Sequence, residues 1–223
     1  MFEKRISIFT GHFGSGKTEV AVNYAFRLAE KADKVAIVDL DIVNPFFRTA
    51  DVKDKLAEKG LRVILPGYVN TNVDVPSLPA EINAIFENKE YKVVLDIGGD
   101  DLGAKVVARY RNNIIKDDFE MYFVINTRRP LTDTEAGIEL AIREIEESSG
   151  IKVSKLVNNT NLLQETTVEN FLEGDAMIRN VSERLGIPVG FASGLEKVIG
   201  NLNNYAEDSK LMLGKYIKLP WEG

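Results

Sequence analysis

Eight consecutive residues, Gly11-His12-Phe13-Gly14-Ser15-Gly16-Lys17-Thr18, fill every fixed position of the pattern G-x-x-x-x-G-K-[ST]. Each residue type has a use if the ligand is a chain of phosphates. Glycines allow dihedrals that turn successive N–H groups inward and form a nest for anionic oxygens. A helix opening at Lys17 and Thr18, with Glu19 next, adds the positive end of its dipole. The Lys17 ammonium brings a point charge to the β- and γ-phosphates, and the Thr18 hydroxyl is placed to ligate Mg²⁺. Residues 11–19 are the expected nucleotide-binding set, with Lys17 also a catalytic charge.

Carboxylates recur where such a site needs them. The run KVAIVDLD over Lys34–Asp41 ends in Asp39 and Asp41, and YKVVLDI over Tyr91–Ile97 carries Asp96 just before Gly98-Gly99. An aspartate at the end of an apolar strand can hold Mg²⁺ through water, so Thr18, Asp39 and Asp96 are the expected metal set. The glycine pair permits a loop that approaches the γ-phosphate and moves when it leaves. Arg128 and Arg129, directly before Pro130, suit anion binding or an arginine finger, and suit a surface ion pair equally well. Asn158-Asn159-Thr160-Asn161 stands where a base could be read. A guanine reader needs a carboxylate at the last position, but Asn161 offers one acceptor oxygen with donors beside it. ATP is therefore expected over GTP, with Asn158 or Asn159 pairing to the N6 and N7 edge of adenine. A simple turn would use the same residues.

The elements that position these groups follow from periodicity. Apolar runs at Ile6–Thr10, Lys34–Asp41, Arg62–Leu65, Tyr91–Ile97, Glu120–Asn126, Val153–Asn158 and Ile187–Ala192 read as strands, the last of them final. Helical spacing appears over Lys17–Lys31, Asp51–Lys59, Ala80–Asn88, about Asp133–Glu147, Val168–Leu185 and, as a closing helix, Leu202 to about Ile217. Pro66–Pro79, with three prolines, reads as a loop. The expected fold is one α/β domain over residues 1–223, a mainly parallel central sheet with helices on both faces. Ligands bind such sheets at the carboxyl ends of the strands, where the aspartates lie.

Bulk properties exclude several classes. A net charge of −6 argues against a chain that grips nucleic acid directly through phosphates. No cysteine is present, so disulfides and thiolate metal sites are closed to it, and a single histidine, His12, makes a histidine zinc site implausible. No run approaches the roughly 18 apolar residues of a membrane span, and no apolar leader precedes the first strand, so a cytoplasmic location is expected.

The phosphate loop, the DLD at 39–41 followed by Asn44-Pro45, and the LDIGG at 95–99 resemble the MinD/ParA/CobQ branch of P-loop NTPases, the SIMIBI type. That resemblance covers nearly the whole chain in element order. It implies an ATPase that dimerises face to face around two ATP molecules, with Asp41 orienting the attacking water, Asp39 near Mg²⁺ and Asp96 as the Walker B residue. It also implies that Pro188 and the Gly190–Ser193 stretch line the base. The division and partition members carry a signature lysine at the position held here by His12. The trans charge would then come from His12, Arg48, Arg128 or Arg129.

Three outputs fit these parts. One is a nucleotide-driven switch, cycling between ATP and ADP, that assembles a homodimer or docks a protein partner. Another is a synthetase or kinase that activates a small acceptor, with the Pro66–Pro79 loop as its lid. The third is a membrane-surface ATPase of the division type, using Lys210–Lys218 as an interfacial helix; a last helix packed on its own sheet accounts for those residues better, so membrane binding is not expected.

Overall fold

The computed structural model describes residues 1–41, 49–65, 81–99 and 101–217. Among these residues eight strands form one sheet in the order β3-β2-β4-β1-β5-β6-β7-β8, with each neighbouring pair parallel. In chain order they are β1 (Ile6–Thr10), β2 (Val35–Leu40), β3 (Arg62–Ile64), β4 (Lys92–Ile97), β5 (Phe119–Ile125), β6 (Lys155–Asn158), β7 (Val189–Gly194) and β8 (Lys210–Met212). The helices are α1 (Lys17–Ala29), α2 (Lys53–Glu58), α3 (Glu81–Glu87), α4 (Asp101–Ile114), α5 (Glu135–Ser149), α6 (Val168–Leu185) and α7 (Glu196–Ile199).

Strand residues alternate between two cores. Ile6 and Ile8 of β1, with Met121, Phe123 and Ile125 of β5, face α3, α4, α5 and α6. Phe9, Tyr122 and Val124 face the other way, onto Val20, Ala21, Tyr24 and Leu28 of α1. Because both faces are covered, the central strands read as unbroken apolar runs rather than as alternation. The second core is aromatic at its centre: Phe9 stacks on Tyr122 at 5.0 Å, and Tyr24 meets both Phe9 and Phe191. Each such side chain contributes about 1.5–3 kcal/mol by burial.

Two expected elements differ. Helix α4 is one that the sequence reading does not contain, since that reading carries a loop at Gly98-Gly99 and no element before the next strand; its Ala104, Val107, Tyr110 and Ile114 keep helical spacing and pack into the first core. Gly103 is needed there for close approach, since a Cβ on it would lie 2.5 Å from the Gly98 Cα. The closing helix from Leu202 does not form. Lys210–Met212 instead pairs with β7 as β8, placing Leu211 and Leu213 on one face and Met212 on the other, the period of a strand. Strand β7 is consequently not the last, and the interfacial helix proposed for this segment is ruled out with it. The Pro66–Pro79 stretch, Asn44-Pro45 and Arg48 lie outside the described residues.

At the end of the sheet away from the aspartates, Arg5 holds Asp117 through paired guanidinium bonds and also reaches the Tyr91 carbonyl at 3.1 Å. Arg5, then Lys89 and the Asp118 N–H, hold the Asp117 carboxyl below the usual carboxylate range. A depressed carboxylate stabilises the fold above its unfolded pKa of about 3.9, and that contribution is lost as pH falls through the lower folded value. Asp117→Asn is expected to cost about 2 kcal/mol at neutral pH, measured by urea unfolding, and less at pH ~3. An equal loss at both pH values would show that the charge is not what matters.

Candidate nucleotide site

The phosphate loop runs from the end of β1 into α1. Gly16 caps that helix in the left-handed conformation, φ 81°, without a side chain bonded to the helix start, so the first N–H groups face outward. Glycine is required twice over at this position, because a Cβ would fall 2.5 Å from Asn159 Nδ2. Behind the loop, a Cβ on Gly99 would sit 1.8 Å from the Gly11 carbonyl oxygen. The loop after β4 therefore lies directly against the phosphate loop.

Parallel pairing of β2 with β4 puts Asp39 opposite Asp96. The Asp41 N–H donates to Asp39 Oδ1 at 2.9 Å, and Lys17 Nζ meets Asp41 Oδ2 at 2.6 Å. All four side chains are buried. Burial works against the Lys17 charge, but Asp96, Asp41 and Asp39 more than compensate and its pKa is raised. Burial, and then the neighbouring Asp96, push the Asp39 carboxyl up; burial also pushes Asp96 up, with Lys17 opposing it.

These groups fit a hydrated Mg²⁺. Among the described residues, both buried Asp96 carboxyl oxygens lack a hydrogen bond of good geometry, and so do the hydroxyls of Thr10, Ser15 and Thr49. The Thr18 and Thr49 hydroxyls lie near enough to Asp96 to lower its pKa. Such unmet polar demand is costly unless something occupies the space. Among the described residues no group of three or more His, Cys, Asp or Glu side chains forms a metal cage. Mg²⁺ does not require one, because it keeps several waters and takes phosphate oxygens as ligands.

A cleft of about 630 Å³ extends from this point. Its phosphate end is Gly14–Thr18 and Arg129; Asn159–Thr166 line it as well, and so do Leu213–Lys215 and Ile217 together with Glu19. Phe171, Leu195 and Val198 give it an apolar floor. Leu163 holds φ 55°, a conformation costly for a residue with a side chain, and is 46% exposed at the cleft wall.

The expected site residues divide. Gly11, Gly14, Ser15, Gly16, Lys17, Thr18, Asp39, Asp41 and Asp96 converge. His12 is partly buried beneath the loop turn, its carbonyl accepting from Ser15 N at 3.0 Å, while Phe13 is 63% exposed. Asn158 is fully buried, donating to Asp175 at 3.2 Å and accepting from the Thr160 N–H. Asn159 donates to the Ser15 carbonyl at 2.7 Å and accepts from Ser193 Oγ at 3.0 Å. Both amides brace the cleft, and Asn159 also lines it, whereas Asn158 does not. Glu19 is turned from the phosphates toward the C-terminal segment, accepting from the Tyr216 and Ile217 N–H groups. Pro188 and Gly190 lie toward the opposite end of β7 and do not line the cleft; Gly194 and Leu195 do.

The adjacent arginines part as well. Arg128 ion-pairs with Glu173. Arg129 leans over the phosphate loop and donates from Nε to the Gly14 carbonyl at 3.2 Å. Sequence reasoning missed the wall formed by 213–217, whose only signal was Leu211 and Leu213 two residues apart.

A parallel sheet carrying this loop at a strand's carboxyl end, with acidic ends on the two strands beyond it, defines a P-loop NTPase. Residues 1–96 match the family model ParA, described as an NUBPL iron-transfer P-loop NTPase. Solved structures with similar folds include cell division protein FtsY from Thermotoga maritima (19% identity, TM-score 0.54, 86% of this chain and 62% of that one). Others are FtsY from Mycoplasma mycoides (19%, 0.51, 88% and 63%) and the signal recognition particle 54 kDa protein from Aeropyrum pernix K1 in complex with GDP (16%, 0.52, 84% and 40%). The chain thus spans between 40% and 63% of the length of these neighbours. A search of curated proteins gave no match. The phosphate loop, the parallel fold and the match over residues 1–96 agree with the SIMIBI branch of P-loop NTPases that the motifs resemble. Among the described residues no helix is long and apolar enough to cross a membrane.

Proposed function

We propose that this chain is a Mg²⁺-dependent ATPase acting as a nucleotide-driven switch, in which ATP assembles a homodimer or docks a protein partner and hydrolysis releases it. The observation that carries this reading is the buried 2.6 Å pair between Lys17 and Asp41. Phosphates need Lys17, so their arrival exchanges its partner and frees the Asp41 carboxylate from that contact. Asp41 stands one residue beyond β2. With its contact to Lys17 exchanged, Asp41 can orient a water or accept its proton, the role required for slow, timed hydrolysis. Mg²⁺, when bound beside Thr18, Asp39 and Asp96, supplies charge neutralisation to the β- and γ-phosphate oxygens. Arg129, already bonded to the loop, adds a second cation at the phosphate end.

Exposed Phe13 on the phosphate loop and exposed Leu131, two residues after Arg129, support an interface on this face. ATP is favoured over GTP because the amide of Asn161 stands where guanine needs a carboxylate, and it is held by Asn159 O and the Leu163 N–H. Iron carriage as in the family description is not adopted, since this chain has no thiolate to hold a cluster. The synthetase reading rests on Pro66–Pro79, outside the described residues.

Light scattering on Asp41→Ala in ADP and then in ATP with Mg²⁺ tests the switch. A doubled mass in ATP supports it. Monomers in both states count against dimerisation and favour the synthetase, and dimers in both leave partner docking as the output.

A further inference from the structure

The first turn of α1 does two things at once. Lys17 and Thr18 face the phosphates, while Glu19 and Asn23, four residues apart and so on one helix face, hold the C-terminal segment. Glu19 Oε1 accepts from the Tyr216 N–H at 2.8 Å and Oε2 from the Ile217 N–H at 2.9 Å. Asn23 Oδ1 accepts from the Gly214 N–H at 2.8 Å, and its Nδ2 donates to the Gly214 carbonyl at 3.0 Å. That amide thus pairs with Gly214 as a strand neighbour would. It also braces Glu19 itself, donating to Oε1 at 3.1 Å and to the Glu19 carbonyl at 2.8 Å. Tyr216 then packs against Phe26 at 4.5 Å, and Ile217 is buried in the second core.

The segment so fastened is one wall of the cleft. Leu213, Gly214, Lys215 and Ile217 line it, together with the apolar Leu162, Leu163, Leu195 and Val198. A flat, largely apolar group fits between such walls, and the phosphate loop sets its distance from the phosphate end. Glu19 and Asn23 of α1 bond Gly214, Tyr216 and Ile217 of the strap, so this wall stands where the two side chains put it.

Building on the nucleotide-site reading, we propose that Glu19 and Asn23 are positioning residues for the base end of the nucleotide: they fix the 213–217 strap as the wall against which the base stacks, and make no contact with the phosphates. Loss of the clamp loosens the base and leaves the phosphate grip.

The test compares affinities of Glu19→Gln, Glu19→Ala and Asn23→Ala for MgATP and for magnesium tripolyphosphate, an inorganic probe that fills only the phosphate end. A charge-assisted pair of backbone bonds predicts about tenfold or greater weakening of ATP binding in Glu19→Ala. Glu19→Gln, which keeps one acceptor oxygen, falls between it and the native chain, and tripolyphosphate affinity stays within about twofold throughout. Equal loss for both probes would show that the substitutions merely distort α1, and no loss for ATP would show that the strap does not hold the base; either overturns the inference. If the native chain binds tripolyphosphate but gains nothing from the nucleoside, the base wall is refuted while the phosphate site stands. If it binds neither probe, the nucleotide-site reading falls and the clamp with it. Asn23→Ala leaves Glu19 in place, so a folding failure of the Glu19 variants does not remove the test.

Discussion

Lys17→Ala is expected to weaken nucleotide binding about 100-fold and, in the same chain, to lower the stability of the nucleotide-free protein. The first effect is the loss of a charged donor to phosphate, worth about 1.5–3 kcal/mol. The second comes from the company Lys17 keeps. Its ammonium is buried opposite Asp41 and raised in pKa by Asp96, Asp41 and Asp39 together. Without it three buried carboxylates face one another with that charge missing, and breaking a buried pair from one side costs about 3–5 kcal/mol. Lys17→Met keeps most of the stem's packing and separates lost charge from lost volume. Calorimetric titration with MgATP and urea unfolding without ligand measure the two effects independently. Normal affinity in either variant would sink the site assignment; lost affinity with unchanged stability would mean that the carboxylates shed their charge on their own.

The phosphate loop and the acidic strand ends were legible because their logic is local. A nest, a lysine and a hydroxyl occupy fixed spacings, and strands buried on both faces read as apolar runs. Roles set by distant partners were not legible. Glu19 looks like part of the loop motif until its carboxylate is seen to serve Tyr216 and Ile217, nearly two hundred residues away. Arg128 and Arg129 are neighbours of the same type, yet Glu173 on α6 claims one and leaves the other over Gly14. Asn158 and Asn159 resemble a base reader, and only the approach of Asp175 and Ser15 shows that they brace the cleft. Helix α4 was hidden by glycines whose purpose is contact, and β8 by a segment too short to distinguish a helical from a strand period. In each case the missing information was a tertiary neighbour, not a local preference.

Asp41→Ala tests the exchange at the centre of the switch, and it predicts two changes of opposite sense. Turnover falls by about 100-fold or more, the usual size of an effect from a group that orients or deprotonates a water. Affinity for MgATP does not fall with it. In the native chain the phosphates must draw Lys17 out of a buried pair with Asp41; in the variant that competition is gone, so binding is equal or tighter, by up to about tenfold. Asp41→Asn separates the parts further, since an amide can still accept a bond from Lys17 but cannot take a proton. Single-turnover phosphate release and equilibrium titration read the two effects separately. Unchanged turnover would move catalysis to another group. Slow turnover with clearly weaker binding would mean that Asp41 belongs to the bound state's metal or phosphate contacts and does not restrain Lys17, so the partner exchange would no longer explain how nucleotide reaches the rest of the chain.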